Sequence, residues 1–447
     1  MLLTAAQLFM SCLGLMMFTS GMKRKLAIFI LAALCLTCVQ LPLPFAKGAF
    51  GFLPFCFLLS ILSHFGKYYV QMKHTIVFKL MMMMIVSAVI FAFTSPHYNS
   101  VFQKGKLIYN ELMQKTFIMA FVMFCIWKPK DLKPAMKWAL IGLLFITVLG
   151  VVNYIERESF WVTAIKGENM GIEAGAVYAN SKRFRVQSTF GLAFDYGYTC
   201  ILFALLFFFA RKKNLVAKSI FWLAEACCLF GIYTCGCRTV HVAFLLAIMV
   251  YGISAFDMRK WIFAAVIALI IGIIVVTRVP AFQEYMDLFK EALNVSTKRS
   301  NMKGGSTIGM RIVQLFTVFS HLKGHMLFGR GKDFFLIDLG WEKKMEGGQA
   351  KDADLWGLEG VYLAYLLERG IFGYVCYLLF YAGLFFAAFK MRKKDPLSFG
   401  LFASAIAAYF FYANATGELG SVAPTMLIMG IAMKMLYVNS GKLVKTK

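Results

Sequence analysis

The chain has 447 residues, 60% of them hydrophobic and 15% charged, with a formal net charge of +25. A soluble chain carries about 25% charged residues, so this composition excludes a soluble enzyme, a disordered protein and a collagen-like fibre. In a soluble protein the positive excess would point to nucleic acid; here the placement of the 47 Lys and Arg decides the matter.

A helix needs about 20 apolar residues to cross the hydrocarbon of a bilayer. In chain order the candidate spans fall near 2–20, 26–45, 48–65, 75–95, 108–127, 138–154, 189–210, 219–236, 239–256, 261–277, 358–389, 397–413 and 422–438. They predict an all-α polytopic bundle of about 12–14 helices. Each stretch is apolar on every side, and the alternating segments of a membrane barrel are absent. The first has neither a positive leader nor a small-residue cleavage site, so it reads as a span. The stretch 358–389 is long enough for a span plus an interfacial turn. Three parts follow: a bundle over 1–277, a large loop over 278–357, and C-terminal spans over 358–447.

Basic residues cluster at every second loop: Lys23-Arg24-Lys25, Lys67 and Lys73, Lys128 to Lys137, Arg211 to Lys218, Arg259-Lys260, Lys390 to Lys394, and the tail from Lys442. These seven clusters hold 22 of the 47 Lys and Arg. The positive-inside rule makes them cytoplasmic and puts 155–188, 235–238, 278–357 and 414–421 outside, with the N-terminus outside and the C-terminus inside. The charge is then mainly a topology signal, and no nucleic-acid partner is expected. Within the large loop, Ser306 can cap a helix in which Ile308, Ile312, Leu315, Phe316, Phe319 and Leu322 recur at helical spacing. This helix is expected to lie on the membrane or over a cavity. No internal repeat is visible, which weighs against an inverted-repeat transporter.

Ten of the 11 Cys lie within or at the edge of spans, and no disulfide framework follows from them. Cys35-x-x-Cys38 reads as buried packing, and Met81 to Met84 point in four directions around a helix. His321 and His325 lie four apart but lack a third ligand, and no metal is expected. Asp352-Ala-Asp354 has the spacing that holds a metal–diphosphate in some glycosyltransferases. Nucleotide sugars are cytoplasmic and this loop is placed outside, so it reads as a solvated acidic turn.

Ionisable residues at the outer ends of spans carry more weight, because charge near hydrocarbon is costly. Arg185 precedes the seventh span, Arg238 lies between the eighth and ninth, and Arg311 sits in the first turn of the amphipathic helix. Guanidinium forks bind phosphate oxygens bidentately. Taken singly, each Arg also reads as an interfacial side chain or as a partner for Asp195. Glu359, at the mouth of a span, is a candidate general base. Deep charges are few, chiefly Glu225 and Lys434.

The runs Met310-Arg-Ile-Val-Gln-Leu315, His325-Met-Leu-Phe-Gly-Arg-Gly331, Glu359-Gly-Val-Tyr-Leu363 and Glu368-Arg-Gly-Ile-Phe-Gly373 resemble the O-antigen polymerase and ligase family. Cys237-Arg-Thr239 is similar to that family's Ser-Arg motif, with Cys in place of Ser, and Arg185 with Ser188-Thr-Phe-Gly191 matches an Arg-bearing segment before a span. The resemblance covers about 185–389. It implies glycosyl transfer from an undecaprenyl-diphosphate-linked oligosaccharide at the outer face of a bacterial cytoplasmic membrane, without metal or other cofactor. By position, it implies Glu359 as base and Arg311 as a second catalytic residue, and Arg185, Arg238, Arg330, Asp195 and Tyr362 as the diphosphate and substrate set. Trp341, Trp356, Tyr362 and Tyr365 would offer faces for sugars. Ligases of the family typically carry His where Glu359 stands, so the resemblance favours the polymerase branch. The alternatives are a ligase acting on another acceptor, a lipid-linked oligosaccharide flippase and a structural anchor. A chain-length regulator and a repeat-unit flippase are the protein partners it implies.

Overall fold

The computed structural model describes residues 2–43, 48–166, 184–256, 307–340, 355, 358, 360–417 and 420–440, and at 64, 67, 68, 71 and 307–312 the backbone alone. The expected span at 261–277, the pair Asp352 and Asp354, Trp341, Trp356 and Glu359 lie outside the described residues.

Among the described residues the protein is all-α, apart from an isolated bridge between Gln40 and Gly48. Eight helices among the described residues are long and apolar enough to cross a membrane: Leu2–Thr19, Ile76–Thr94, Pro129–Glu156, Ala193–Lys212, Arg238–Ala255, Val361–Met391, Pro396–Thr416 and Val422–Ser440. Shorter helices occupy other expected spans: Met22–Cys35, Ala49–Ile61 and Lys218–Thr234. The span expected at 26–45 ends early. Its helix stops at Cys35, and Thr37 then donates to the Thr189 carbonyl at 2.9 Å, which draws the chain sideways into the bundle. The stretch near 108–127 belongs to a longer helical run, Val101–Glu111 and Phe117–Cys125 joined by a π-helical turn over Leu112–Thr116.

Local chemistry sets several ends. Ser100 and Gln103 form a reciprocal capping box at the start of Val101–Glu111. Asp395 caps Pro396–Thr416, with Pro in the first turn, where its missing N–H costs nothing. The two central helices, Ala193–Lys212 and Val422–Ser440, are buried along most of their length. Around them Arg238–Ala255 packs on Pro396–Thr416, Met22–Cys35 on Pro129–Glu156, and Ile76–Thr94 on Val361–Met391.

Basic loops meet at one end of the bundle. Lys23 pairs with Asp131 at 2.9 Å, and Lys213 pairs with Asp395 at 2.8 Å. Burial works against the Asp395 carboxylate, but hydrogen bonds from Lys213, Ser398 and Asn439 outweigh it and hold its pKa below the ordinary value. The opposite end carries Arg185, Arg238 and residues 307–340.

The long helix Val361–Met391 breaks at Gly370, which has φ +64° and ψ −169°. The break leaves amide and carbonyl groups without helical partners. The segment 326–331 supplies them: Arg330 and Gly331 donate to the carbonyls of Leu367 and Glu368, and Ile371 and Phe372 donate to those of Met326 and Leu327, at 2.8–3.0 Å. The two backbones cross so closely that a Cβ on Gly329 would lie 2.5 Å from the Glu368 carbonyl carbon, and one on Gly370 2.4 Å from the Leu327 oxygen. Both glycines have positive φ, so glycine is required twice over. The Gly-x-Gly and Glu-x-Gly motifs of the sequence are thus the two halves of one backbone clip. The expected span plus interfacial turn is a half-helix over 361–369 followed by a span.

Candidate functional site

Arg185 and Arg238 come together on the walls of one open cavity of about 810 Å³. Arg238 begins the helix Arg238–Ala255, and Arg185 lies on the extended approach to Ala193–Lys212. The Val186 amide donates to the Thr234 carbonyl at 3.1 Å, which seats this approach against the turn leading into Arg238. The cavity is graded along its depth. Arg185, Arg238, Thr239, Asn414 and Thr416 stand at the helix ends, while Leu246, Ala407, Phe410 and Phe411 lie one to two turns further into the bundle. Phe194 completes the wall, with its ring 5.9 Å from the Arg185 guanidinium carbon.

Cys237, which stands where the resembled motif has Ser, also lines this cavity. Its thiol donates to the Cys235 carbonyl, and burial pushes its pKa up against the opposing pull of Arg185. Burial and this hydrogen bond favour the neutral thiol. Asp195 does not line the cavity. It is buried in the first turn of its helix and accepts from the Tyr412 hydroxyl at 2.9 Å and the Gly420 amide at 3.2 Å. It thereby ties Ala193–Lys212 to the helices on either side of 417–421 and fixes the wall behind the two Arg.

Of the other expected residues, Arg330 and Tyr362 lie beside the clip. Arg311 belongs to the helix Thr307–His321, whose Leu315, Val318 and Leu322 pack on Leu363 and Leu367 of the half-helix. Arg330 donates through Nε to the His321 carbonyl at 2.6 Å and so closes the C-terminus of that helix, with its guanidinium carbon 5.6 Å from the Phe334 ring. Tyr362 is half-buried against the same cluster. Glu359 directly precedes Gly360, the residue that opens the half-helix. Tyr365 departs from its expected role as a sugar platform. It is buried, 4.5 Å from the Tyr377 ring, and its hydroxyl accepts from Lys115.

Tyr365 belongs to a polar network of Glu111, Lys115 and Arg369 that is absent from the expected site residues. Arg369 donates to Glu111 at 2.5 Å, between the rings of Phe91 and Tyr365 at 4.2 and 4.3 Å. Lys115 lies 3.5 Å from the same Glu111 oxygen. The signal was present as charges inside the apolar stretches 108–127 and 358–389. Nearby, Lys332 bridges to Glu368 at 3.3 Å, Tyr98 donates to Asp333 at 2.6 Å and His97 pairs with Asp338 at 2.6 Å. Burial and the Asp333 carboxylate push the Tyr98 hydroxyl pKa up, so it remains a donor. Of the deep charges noted from sequence, Glu225 has a buried oxygen without a hydrogen-bond partner among the described residues. Lys434 lies 5.7 Å from the Trp127 ring.

The family model described as O-antigen ligase matches residues 223–378, a stretch that takes in Arg238, the helix Thr307–His321, the clip and the half-helix. No curated protein matches the chain.

Proposed function

From an O-antigen ligase family domain at 223–378 in a multi-pass membrane protein, we propose that the chain polymerises lipid-diphosphate-linked oligosaccharide repeat units into a surface polysaccharide. The observation that carries this reading is the graded cavity, with Arg185 and Arg238 at its mouth and apolar side chains below. Such a slot fits a diphosphate with a polyprenyl chain attached. The donor is undecaprenyl-diphosphate-linked glycan, and the site faces outward from the cytoplasmic membrane, as the loop charges imply.

In this reading the growing glycan occupies the donor position and the incoming repeat unit supplies the attacking hydroxyl. Glu359 accepts the hydroxyl proton as the oxygen bonds to the anomeric carbon. The bond from that carbon to the diphosphate breaks, and its electron pair leaves with the lipid diphosphate. Arg185 and Arg238 bind that diphosphate, with Arg311 and Arg330 adding positive charge from the loop side. Cations placed before the reaction stabilise the developing charge without reorganisation. One displacement inverts the anomeric centre. Asp195 holds the cavity wall and Tyr362 contributes to the acceptor side.

The matched model's description favours a second reading, in which the same chemistry delivers glycan to a different acceptor. Reconstitution with lipid-linked repeat units separates the two. A ladder of polymer that is lost in Glu359→Ala and in Arg238→Ala supports the polymerase. Transfer of a single unit to an added acceptor without a ladder supports the ligase. Unchanged ladders in both variants overturn the site.

A further inference from the structure

From residue 313 on, the helix Thr307–His321 is apolar on two faces, one of which meets protein among the described residues. Leu315, Val318 and Leu322 pack on the half-helix, whereas Val313, Phe316 and Phe319 face away and are 45%, 71% and 44% exposed. The following turn continues this exposed surface through Met326, Leu327 and Phe328. A water-facing loop does not gather so many large apolar side chains without a reason.

What covers them is indicated by what they adjoin. The carbonyls of Met326 and Leu327 hold the amides of Ile371 and Phe372, and the Phe328 ring lies 6.1 Å from that of Phe372. These are the first residues of the spanning part of the long helix. From Ile371 an exposed stripe runs through Val375, Leu379 and Phe386. At 1.5 Å per residue it extends for about 22 Å, most of the hydrocarbon thickness of a bilayer. The exposed face of 313–328 is continuous with the top of this lipid-facing stripe. Lys323 and His325 are exposed at the turn between the two apolar groups, where side chains of that kind reach phosphate headgroups.

We propose that the segment 313–328 is seated in the adjacent leaflet of the bilayer, with Phe316, Phe319, Met326, Leu327 and Phe328 among the acyl chains and Lys323 at headgroup level. The helix is then shared between two environments, one face on the half-helix and the other in lipid. The clip is pinned to the membrane surface whichever glycan the protein handles.

Cys12 is the exposed thiol among the cysteines, so a Cys12→Ser background leaves little competing labelling. On it, Phe316→Cys, Leu327→Cys, Lys323→Cys and the spanning control Leu379→Cys are made singly in the full chain. Each is labelled with an environment-sensitive fluorophore and placed in nanodiscs with lipids carrying quenchers at shallow and deep acyl positions. Positions 316 and 327 should lose fluorescence to the shallow acyl quencher and be protected from aqueous iodide. Position 379 should respond to the deep quencher, and position 323 to iodide. Quenching of 316 and 327 by iodide alone overturns the proposal. So does protection from both quenchers at the two sites, which means that another part of the chain or a second copy covers the face. Equal melting temperatures for the four labelled proteins confirm that each is folded.

Discussion

Removing the Glu111 carboxylate should cost more than removing the guanidinium it faces. The side chains of Glu111 and Arg369 are 10% and 4% exposed, and Lys115 is the second cation on the same oxygen. Glu111→Gln therefore leaves two cations together in a largely dry site. Arg369→Met leaves Glu111 paired with Lys115 and sacrifices mainly the two aromatic contacts. Uncovering a buried charge costs about 3–5 kcal/mol, whereas the lost cation–π contacts and the weakened pair are worth about 1–3 kcal/mol. For a chain of this length each kcal/mol moves the melting midpoint by about 1–2 °C, so Glu111→Gln should fall by about 3–10 °C and Arg369→Met by clearly less. Thermal unfolding in detergent, followed by tryptophan fluorescence, measures both. Equal midpoints, or Arg369→Met as the weaker protein, would refute the charge-balance argument and make Arg369 chiefly a packing residue.

At the clip, Gly370→Ala and Gly329→Ala each force a positive φ on a residue with a Cβ and drive that Cβ into the facing backbone. A cost of at least about 1–3 kcal/mol is expected, visible as faster amide hydrogen exchange at 326–331 and 368–372 with the spanning helices unchanged. In the cavity, Arg238→Lys keeps the charge but loses the bidentate fork. Product formation should fall by about 10–100-fold, the value of a charge-assisted hydrogen bond, and an unchanged rate counts against diphosphate contact at Arg238. Asp395 has a lowered pKa, so its bonds to Lys213 and Ser398 contribute stability that is complete above the unfolded carboxylate value of about 3.9 and is lost as pH falls through the folded value. Asp395→Asn should flatten that acid-side loss in a melting series, and an unaltered pH profile would contradict the assignment.

Features written as runs of one residue type could be read from the sequence alone. The Lys-rich loops are of this kind, and so in part is the amphipathic stripe: Leu315 and Leu322 pack as expected, whereas Phe316 and Phe319, read as part of it, lie on the exposed face. Features that depend on residues meeting across the fold could not. Glu111 and Arg369 are 258 positions apart, and although each is a charge inside an apolar stretch, nothing local to either says that they pair. Gly329 and Gly370 were visible as motif letters, but that each excludes a Cβ on the other is a property of their crossing. The end of Met22–Cys35 ten residues before its apolar run stops reflects a tertiary bond from Thr37, which hydropathy does not register. Arg185 and Arg238 were singled out separately for their chemistry. Their shared cavity follows from the Val186–Thr234 backbone bond, which leaves no trace in composition.

The clip also bears on how the protein is made. The long helix has 31 residues, about 46 Å, which exceeds the hydrocarbon thickness of about 30 Å. Its lower part, from Ile371 to Met391, can enter the bilayer on hydropathy alone. The half-helix above it cannot complete its break until residues 326–331 have reached the same side of the bilayer, since they supply the missing backbone partners. Biogenesis therefore divides into insertion of the spans and a later docking step on the far side. A lesion in either glycine should yield a chain that reaches the membrane in its native orientation and stalls there, correctly threaded and incompletely folded.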